Sequence, residues 1–298
     1  MARNRSQGWT TEQITKGVWP STSRGDFVAL FYAAYFDASG RPERHPFVTT
    51  AGAVAPIKKW ERFESEWGAI LSSVGLTEFH MTDFVAKRGE FSHGWNDPAK
   101  RSRLLGDLLG TIKRNVNKQF SVTVEVAAWH AVNQRLMLAE LFGAPYSLCG
   151  WAVTTQVRRW ASRKKARSPV RVFFEKGDSD WGKLETLCKR DTSLSSAPVD
   201  IPKTCSRAFQ VGDYLAWKAR IAATNATDKI NKIPDADLIG LTSTKLPDTV
   251  LDELKSLRQA RVRPGTMNLY GEKALLKLCE LNHVPSRVSP RMPDALSR

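Results

Sequence analysis

Tyr32-Ala33-Ala34-Tyr35-Phe36-Asp37-Ala38-Ser39-Gly40 is the stretch whose reading decides the fold. An apolar, aromatic run of strand-forming residues closes on one carboxylate and is cut off at once by a small polar turn. Asp37 then has two readings. It is an acid presented at a strand end, where a metal is held or a reaction begins, or it is a turn residue that bonds backbone amides. Outward from it, Phe47 to Ala55 reads as a second strand, and the short connection containing Gly40 and Pro42 predicts an antiparallel hairpin. From Ile57 to Val74, Trp60, Phe63, Trp67, Ile70 and Leu71 recur at three- and four-residue spacing, which predicts a helix.

Further along, Leu76 to Phe84 is dense in polar groups and Lys87 to Trp95 reads as a loop. Asp97-Pro98 is a helix start, with Asp97 as cap and Pro98 in the first turn, and the helix extends to Asn115. Phe120 to Val126 alternates at period two and predicts a strand, followed by a helix over Ala144 to Arg163. Val170-Arg171-Val172-Phe173-Phe174-Glu175-Lys176-Gly177-Asp178 repeats the opening stretch in kind, an apolar strand closing on an acid and a Gly turn. A helix near Trp181 to Lys189, a Ser/Pro-rich loop to Pro202 and a helix from Ser206 to Ala223 complete the series. Strands separated by helices predict an α/β domain over residues 26–225, with a mixed sheet flanked by helices. Residues 1–25 read as a flexible basic arm. Residues 226–298 read as a small helical appendage and tail, with amphipathic pieces at Val250 to Leu257 and Leu269 to Leu281.

The charge points to a partner. Of a net +15, a net +10 falls within residues 100–170, where thirteen Lys plus Arg face three Asp plus Glu. Such an excess favours polyanions, because neutralised phosphates release counterions, and nucleic acid leads that class. The densest basic run, with Arg158, Arg159, Arg163, Lys164, Lys165 and Arg167, is the candidate nucleic-acid contact. A composition of 42% hydrophobic and 25% charged residues, without a long apolar run or a secretory leader, predicts a folded protein of the cytoplasm with no membrane partner. The four scattered cysteines form no C-x-x-C pair, so free thiols are expected rather than a zinc site.

Three carboxylates carry the chemistry. Asp37 and Glu175 each close an apolar strand, and Asp213 on its helix has Phe209, Ala216 and Trp217 as face-mates. A buried acid needs a proton or a cation. Gly212, costly inside a helix by roughly 1 kcal/mol against Ala, suggests that something approaches closely there. Convergence of two or three of these acids would demand a divalent ion, and hard oxygen donors select Mg²⁺ or Mn²⁺. Pairing of each acid with Arg or Lys is the structural alternative. His80 and Asp83, three apart, are the assisting candidates, with His80 moving a proton or contacting phosphate. No P-loop, G-x-G-x-x-G or G-x-S-x-G is present, which counts against NTPase, dinucleotide and serine-hydrolase chemistry.

Phe36-Asp37-Ala38-Ser39-Gly40 resembles the Asp-Glu-Ser-Gly opening of the domain-of-unknown-function 3800 family of bacteria, phages and mobile elements. Phe79-His80-Met81-Thr82-Asp83, Val172-Phe173-Phe174-Glu175 and Phe209-Gln210-Val211-Gly212-Asp213-Tyr214-Leu215 are similar, in order, to its His-containing segment, late acidic strand and final helix. The resemblance covers residues 27–223. It implies a ribonuclease-H-like sheet and a two-metal nuclease site built on Asp37, Glu175 and Asp213. Ala38 stands where the family has Glu, and alternation along the strand turns that side chain away from Asp37. Two functions are thus expected: a divalent-metal-dependent nuclease or phosphodiester-processing enzyme, or a catalytically silent nucleic-acid-binding or scaffold subunit of a defence or mobile-element assembly. In the second, the termini would contact a protein partner.

Overall fold

Strand β1 (Tyr32–Ser39) is buried on both sides, which is why its sequence is continuously apolar rather than alternating. The computed structural model describes residues 32–164, 170–178, 180–190, 197–230 and 266–286. The hairpin partner β2 (Phe47–Pro56) runs antiparallel to β1, with Phe36 opposite Gly52. Helix α1 (Ile57–Ser73) follows, then α2 (Met81–Ala86) and α3 (Pro98–Asn115). The α3 cap is as the sequence predicts, with Asp97 Oδ1 accepting from Ala99 N at 2.8 Å. Strand β3 (Lys118–Glu125) leads into α4 (Val126–Arg135), α5 (Leu138–Phe142) and α6 (Pro145–Arg163). Then come β4 (Val170–Glu175), α7 (Trp181–Arg190), β5 (Val199–Ile201), α8 (Ala208–Ile230), β6 (Thr266–Tyr270) and α9 (Glu272–Leu281).

The strands form one sheet in the order β5-β4-β1-β2-β3-β6. Only β2 runs against its neighbours, since β1 pairs parallel with β4, β4 with β5 and β3 with β6. The expected mixed α/β sheet flanked by helices is present, and its 3-2-1-4-5 series with strand 2 reversed is the ribonuclease-H-like order. Period-two alternation divides β1 between two cores. Ala34 and Phe36 pack with α4, α6, α7 and α9 on one face, while Ala33 and Tyr35 pack with α1, α2, α3 and α8 on the other. Trp60 of α1 ties that second layer to the central strand by donating from Nε1 to Ala33 O at 2.8 Å.

The C-terminal region is corrected in one respect. Residues 266–281 are not a helical appendage, because β6 extends the sheet beside β3, with Leu269 opposite Thr123, and Leu275 and Cys279 of α9 are buried in the first core. Five strand residues are too few to show a period, so they merge in sequence with the helix that follows. The last helix of the predicted domain also runs on past residue 225, to Ile230. The basic arm at 1–25, the piece at Val250 to Leu257 and the tail from 287 lie outside the described residues. All four cysteines are free, as expected. Among the described residues, no helix is long and apolar enough to cross a membrane.

Candidate active site at the strand ends

Register brings the first two acids together. Tyr35 lies opposite Phe173 and Phe36 opposite Phe174 in the parallel β1–β4 pair, so Asp37 and Glu175 are the next step at the C-terminal ends of both strands. Both follow Tyr35 and Phe173 onto the face covered by α8. The third acid arrives on that helix. A Cβ on Gly212 would lie 2.9 Å from Asp37 N, 3.0 Å from Asp37 Cβ and 3.3 Å from Ala51 O, so only glycine lets α8 approach this closely. The close approach that Gly212 suggests in the sequence is therefore to Asp37 itself, and it sets the next residue, Asp213, beside the strand ends.

Burial pushes the Asp37 carboxyl well above its usual range, and the charges of Glu175 and Asp213 push it further, against a partial offset from Lys203. Asp37 Oδ1 also accepts from Ala38 N at 2.6 Å, so the turn-residue reading describes one of its bonds but not its setting. Ala38 faces the other way and packs against the first core, as alternation predicts.

Asp213 is buried and has a second task. Its Oδ2 accepts from Met81 N at 2.5 Å, while Gln210, one helical turn earlier, accepts from Phe79 N at 2.9 Å and from Trp67 Nε1 at 2.7 Å. The two side chains grip the backbone on either side of His80. The imidazole is thereby held between two acids, with Nε2 3.6 Å from Asp213 Oδ1 and Nδ1 3.5 Å from Asp83 Oδ2. Both separations exceed a hydrogen bond, and Nδ1 is buried with no hydrogen-bond partner. Replacing Gln210 by leucine leaves two buried donors without an acceptor. It is expected to lower stability by about 2–4 kcal/mol in urea unfolding, and a loss below roughly 1 kcal/mol would mean that this grip is not formed.

Three participants are not visible in the sequence reading. Lys203 Nζ lies 3.7 Å from Glu175 Oε2. It follows β5, whose three residues carry no readable period and sit in what reads as a Ser/Pro-rich loop. Asp178, in the turn after β4, has its carboxyl raised to about 6 by burial and by Glu175, with the Tyr146 hydroxyl and Arg41 acting against the rise. Burial and the Asp178 charge push the Tyr146 phenol far up, with smaller effects from Asp37 and Asp200. The only sequence signal for Asp178 is that a second acid follows Gly177.

The basic run is not brought to the acids. Arg158, Arg159, Arg163 and Lys164 occupy the end of α6, where the Trp160 ring meets that of Tyr32, the first residue of β1, at 5.4 Å. Asp37 lies five residues on, about 17 Å along the strand. The reason is topological: a helix that crosses over into a parallel strand delivers its C-terminus at the strand's start, whereas Glu175 stands at the finish. Lys165 and Arg167 lie outside the described residues.

A hard divalent cation suits the donors. They are carboxylate oxygens held against their mutual repulsion, and a cation would relieve that repulsion. Among the described residues, no three His, Cys, Asp or Glu side chains converge on one ion position, and a hydrogen bond between the Asp37 and Glu175 carboxyls is one of the causes that raise Asp37.

Fold and site together describe a ribonuclease-H-like sheet carrying a carboxylate group at its strand ends. No protein-family model matches the chain, and no curated protein matches it. Among solved structures, the chain is similar to the crystal structure of the ribonuclease H2 from Pyrococcus horikoshii OT3. The TM-score is 0.33 and the identity 14%, over 76% of this chain and 88% of that one.

Proposed function

We propose that the chain is a divalent-metal-dependent nuclease or phosphodiester-processing enzyme acting on nucleic acid, and a divergent member of the domain-of-unknown-function 3800 family. One observation carries the reading: the parallel β1–β4 register and the close seat of Gly212 set Asp37 beside Glu175 and Asp213 at the strand ends, where burial and their charges raise its carboxyl. The four segments that resemble that family also meet at this one place. Mg²⁺ or Mn²⁺, held by Asp37 and Glu175 with Asp213 beside them, would supply charge for a transferring phosphoryl group and a nucleophilic water. His80, whose imidazole lies between Asp213 and Asp83, holds or moves a proton at Nε2. Lys203 steadies Glu175 and offers a cation to a phosphate oxygen.

A second reading, a catalytically silent nucleic-acid-binding subunit, is favoured by the Lys203–Glu175 contact, in which a protein cation already serves one of the acids. Incubation of purified protein with end-labelled DNA and RNA strands, with Mg²⁺, with Mn²⁺ or with EDTA, separates the two. Cleavage that depends on the added metal is the expected result. Salt-sensitive binding with intact strands under every condition would replace the first reading by the second.

A further inference from the structure

Beyond Asp37 the chain builds a second, oppositely charged feature. Strand β1 ends at Ser39, and the turn to β2 is closed by its own bonds: Arg44 N and His45 N donate to Arg41 O at 3.0 and 2.9 Å, and Arg41 N donates to His45 Nδ1 at 3.0 Å. Gly40 has φ +97°, and a Cβ there would lie 2.2 Å from Phe47 O and 2.9 Å from Arg220 Cδ. The stem of Arg220 therefore lies directly over the turn, and its Nε donates to Ser39 Oγ at 3.0 Å.

The placement follows from the two periods. Ser39 is two residues beyond Asp37 on β1, and Arg220 is two helical turns beyond Asp213 on α8. The Ser39–Arg220 contact is thus the next contact of the same strand and helix, about 7 Å past the acid along β1. Arg41 and Arg44 are exposed. Among the described residues, no carboxylate comes within ion-pair distance of Arg41, Arg44 or Arg220. Arg220 is thus fixed against the turn that carries Arg41 and Arg44, and burial, with the charges of Arg220, Arg44 and Arg41 adding to it, holds the His45 imidazole of that turn below its usual range. Asp178 acts on Arg41 only from beyond ion-pair distance, and the turn's own exposed Glu43 forms no ion pair with the three arginines, so their guanidinium groups are open to an anion. Guanidinium forks and a fixed turn match phosphate oxygens.

We propose that this turn and Arg220 form a phosphate seat for nucleic acid. It takes the phosphodiester group next to the one presented to Asp37 and Glu175, and so directs a single strand across the C-terminal ends of β1 and β4. The proposal rests on the reading of the acids as a phosphodiester-processing site, and it relocates the nucleic-acid contact from the distant end of α6 to the rim of that site.

The test is binding without cleavage. Fluorescence anisotropy of short single-stranded DNA and RNA of one sequence, in EDTA and over a series of KCl concentrations, compares wild type with R41A/R44A and R41K/R44K. The alanine pair is expected to weaken binding on the order of tenfold and to reduce the slope of log K against log salt by about 1.4, since each single-strand phosphate contact contributes about 0.7. The lysine pair, which keeps the charge, restores most of the slope. An alanine pair with wild-type affinity and slope overturns the seat. Protection of Arg41 and Arg44 from phenylglyoxal by saturating oligonucleotide, read by mass spectrometry on wild-type protein, gives an answer that needs no folded variant. Full reactivity in the bound state overturns the seat equally. Metal is absent throughout, so a protein that binds through this turn and cuts nothing under other conditions keeps the seat and loses the catalytic reading. One that cuts through its acids yet binds unchanged as R41A/R44A loses only the seat.

Discussion

Replacing Asp37 by asparagine is expected to reduce metal-dependent cleavage on the order of 10²–10⁴-fold, the range that loss of a positioned catalytic group commonly produces, and at the same time to make the protein more stable. The two effects have one origin. Asp37 is the acid whose ionisation the fold opposes most plainly, through burial and through the charges of Glu175 and Asp213. Asparagine keeps an oxygen for the bond from Ala38 N and removes the charge. The sign with pH follows by linkage. A carboxyl raised in the folded state binds more protons than the unfolded chain between its unfolded and folded pKa values, so stability falls as pH rises through that window, and the full penalty is present above it. The variant should therefore melt on the order of 2–4 °C higher at pH 8, the shift that about 1 kcal/mol produces in a chain of this size. The difference should fade toward pH 4. Calorimetry across that range, paired with cleavage assays, checks both halves. An Asp37→Asn protein that cuts like wild type removes Asp37 from the chemistry, and one that melts lower at pH 8 shows that its charge is compensated.

How much of this was legible depends on the range of the interaction that fixes each feature. The Asp97 cap, the Trp60 to Leu71 face and the β1–β2 hairpin are local and read directly from spacing. Asp37 and Glu175 were readable as acids at the ends of apolar strands, but that the two strands are neighbours depends on a crossover of more than a hundred residues. Gly212 shows the same division: its cost in a helix is a local signal, whereas its beneficiary, the backbone of Asp37, is known only from packing. Lys203, Asp178 and Tyr146 had little or no local signature because a three-residue strand and a single turn place them. The position of Arg158, Arg159, Arg163 and Lys164 is the most instructive. Charge density along a chain says what a surface attracts, while the direction of the strand that follows says which end of the sheet that surface occupies.

Gly212→Ala is the second large effect, and it tests whether the helix truly seats on the acid. Inside a helix such a change normally gains about 1 kcal/mol. Gly106, on the exposed side of α3 with nothing within 4 Å of its added Cβ, should show that gain, a stabilisation of about 0.4–1 kcal/mol in denaturant unfolding. At Gly212 the same methyl meets Asp37 N at 2.9 Å and Asp37 Cβ at 3.0 Å, both on the central strand, where neither atom is free to swing aside. Either α8 lifts or β1 shifts, so the sign reverses to a loss of about 1–3 kcal/mol, typical of an added methyl in a packed interior. The larger consequence is chemical. Lifting α8 carries Asp213 from Asp37 and loosens the hold of Gln210 and Asp213 on the backbone around His80, so cleavage should fall by roughly 10²-fold, as misplacement by about 1 Å commonly causes. Wild-type stability and activity in Gly212→Ala, beside the expected gain in Gly106→Ala, would mean that α8 stands further from the strand ends than this contact requires. A loss in both properties at Gly212 alone ties the helix seat, the acids and His80 into one unit.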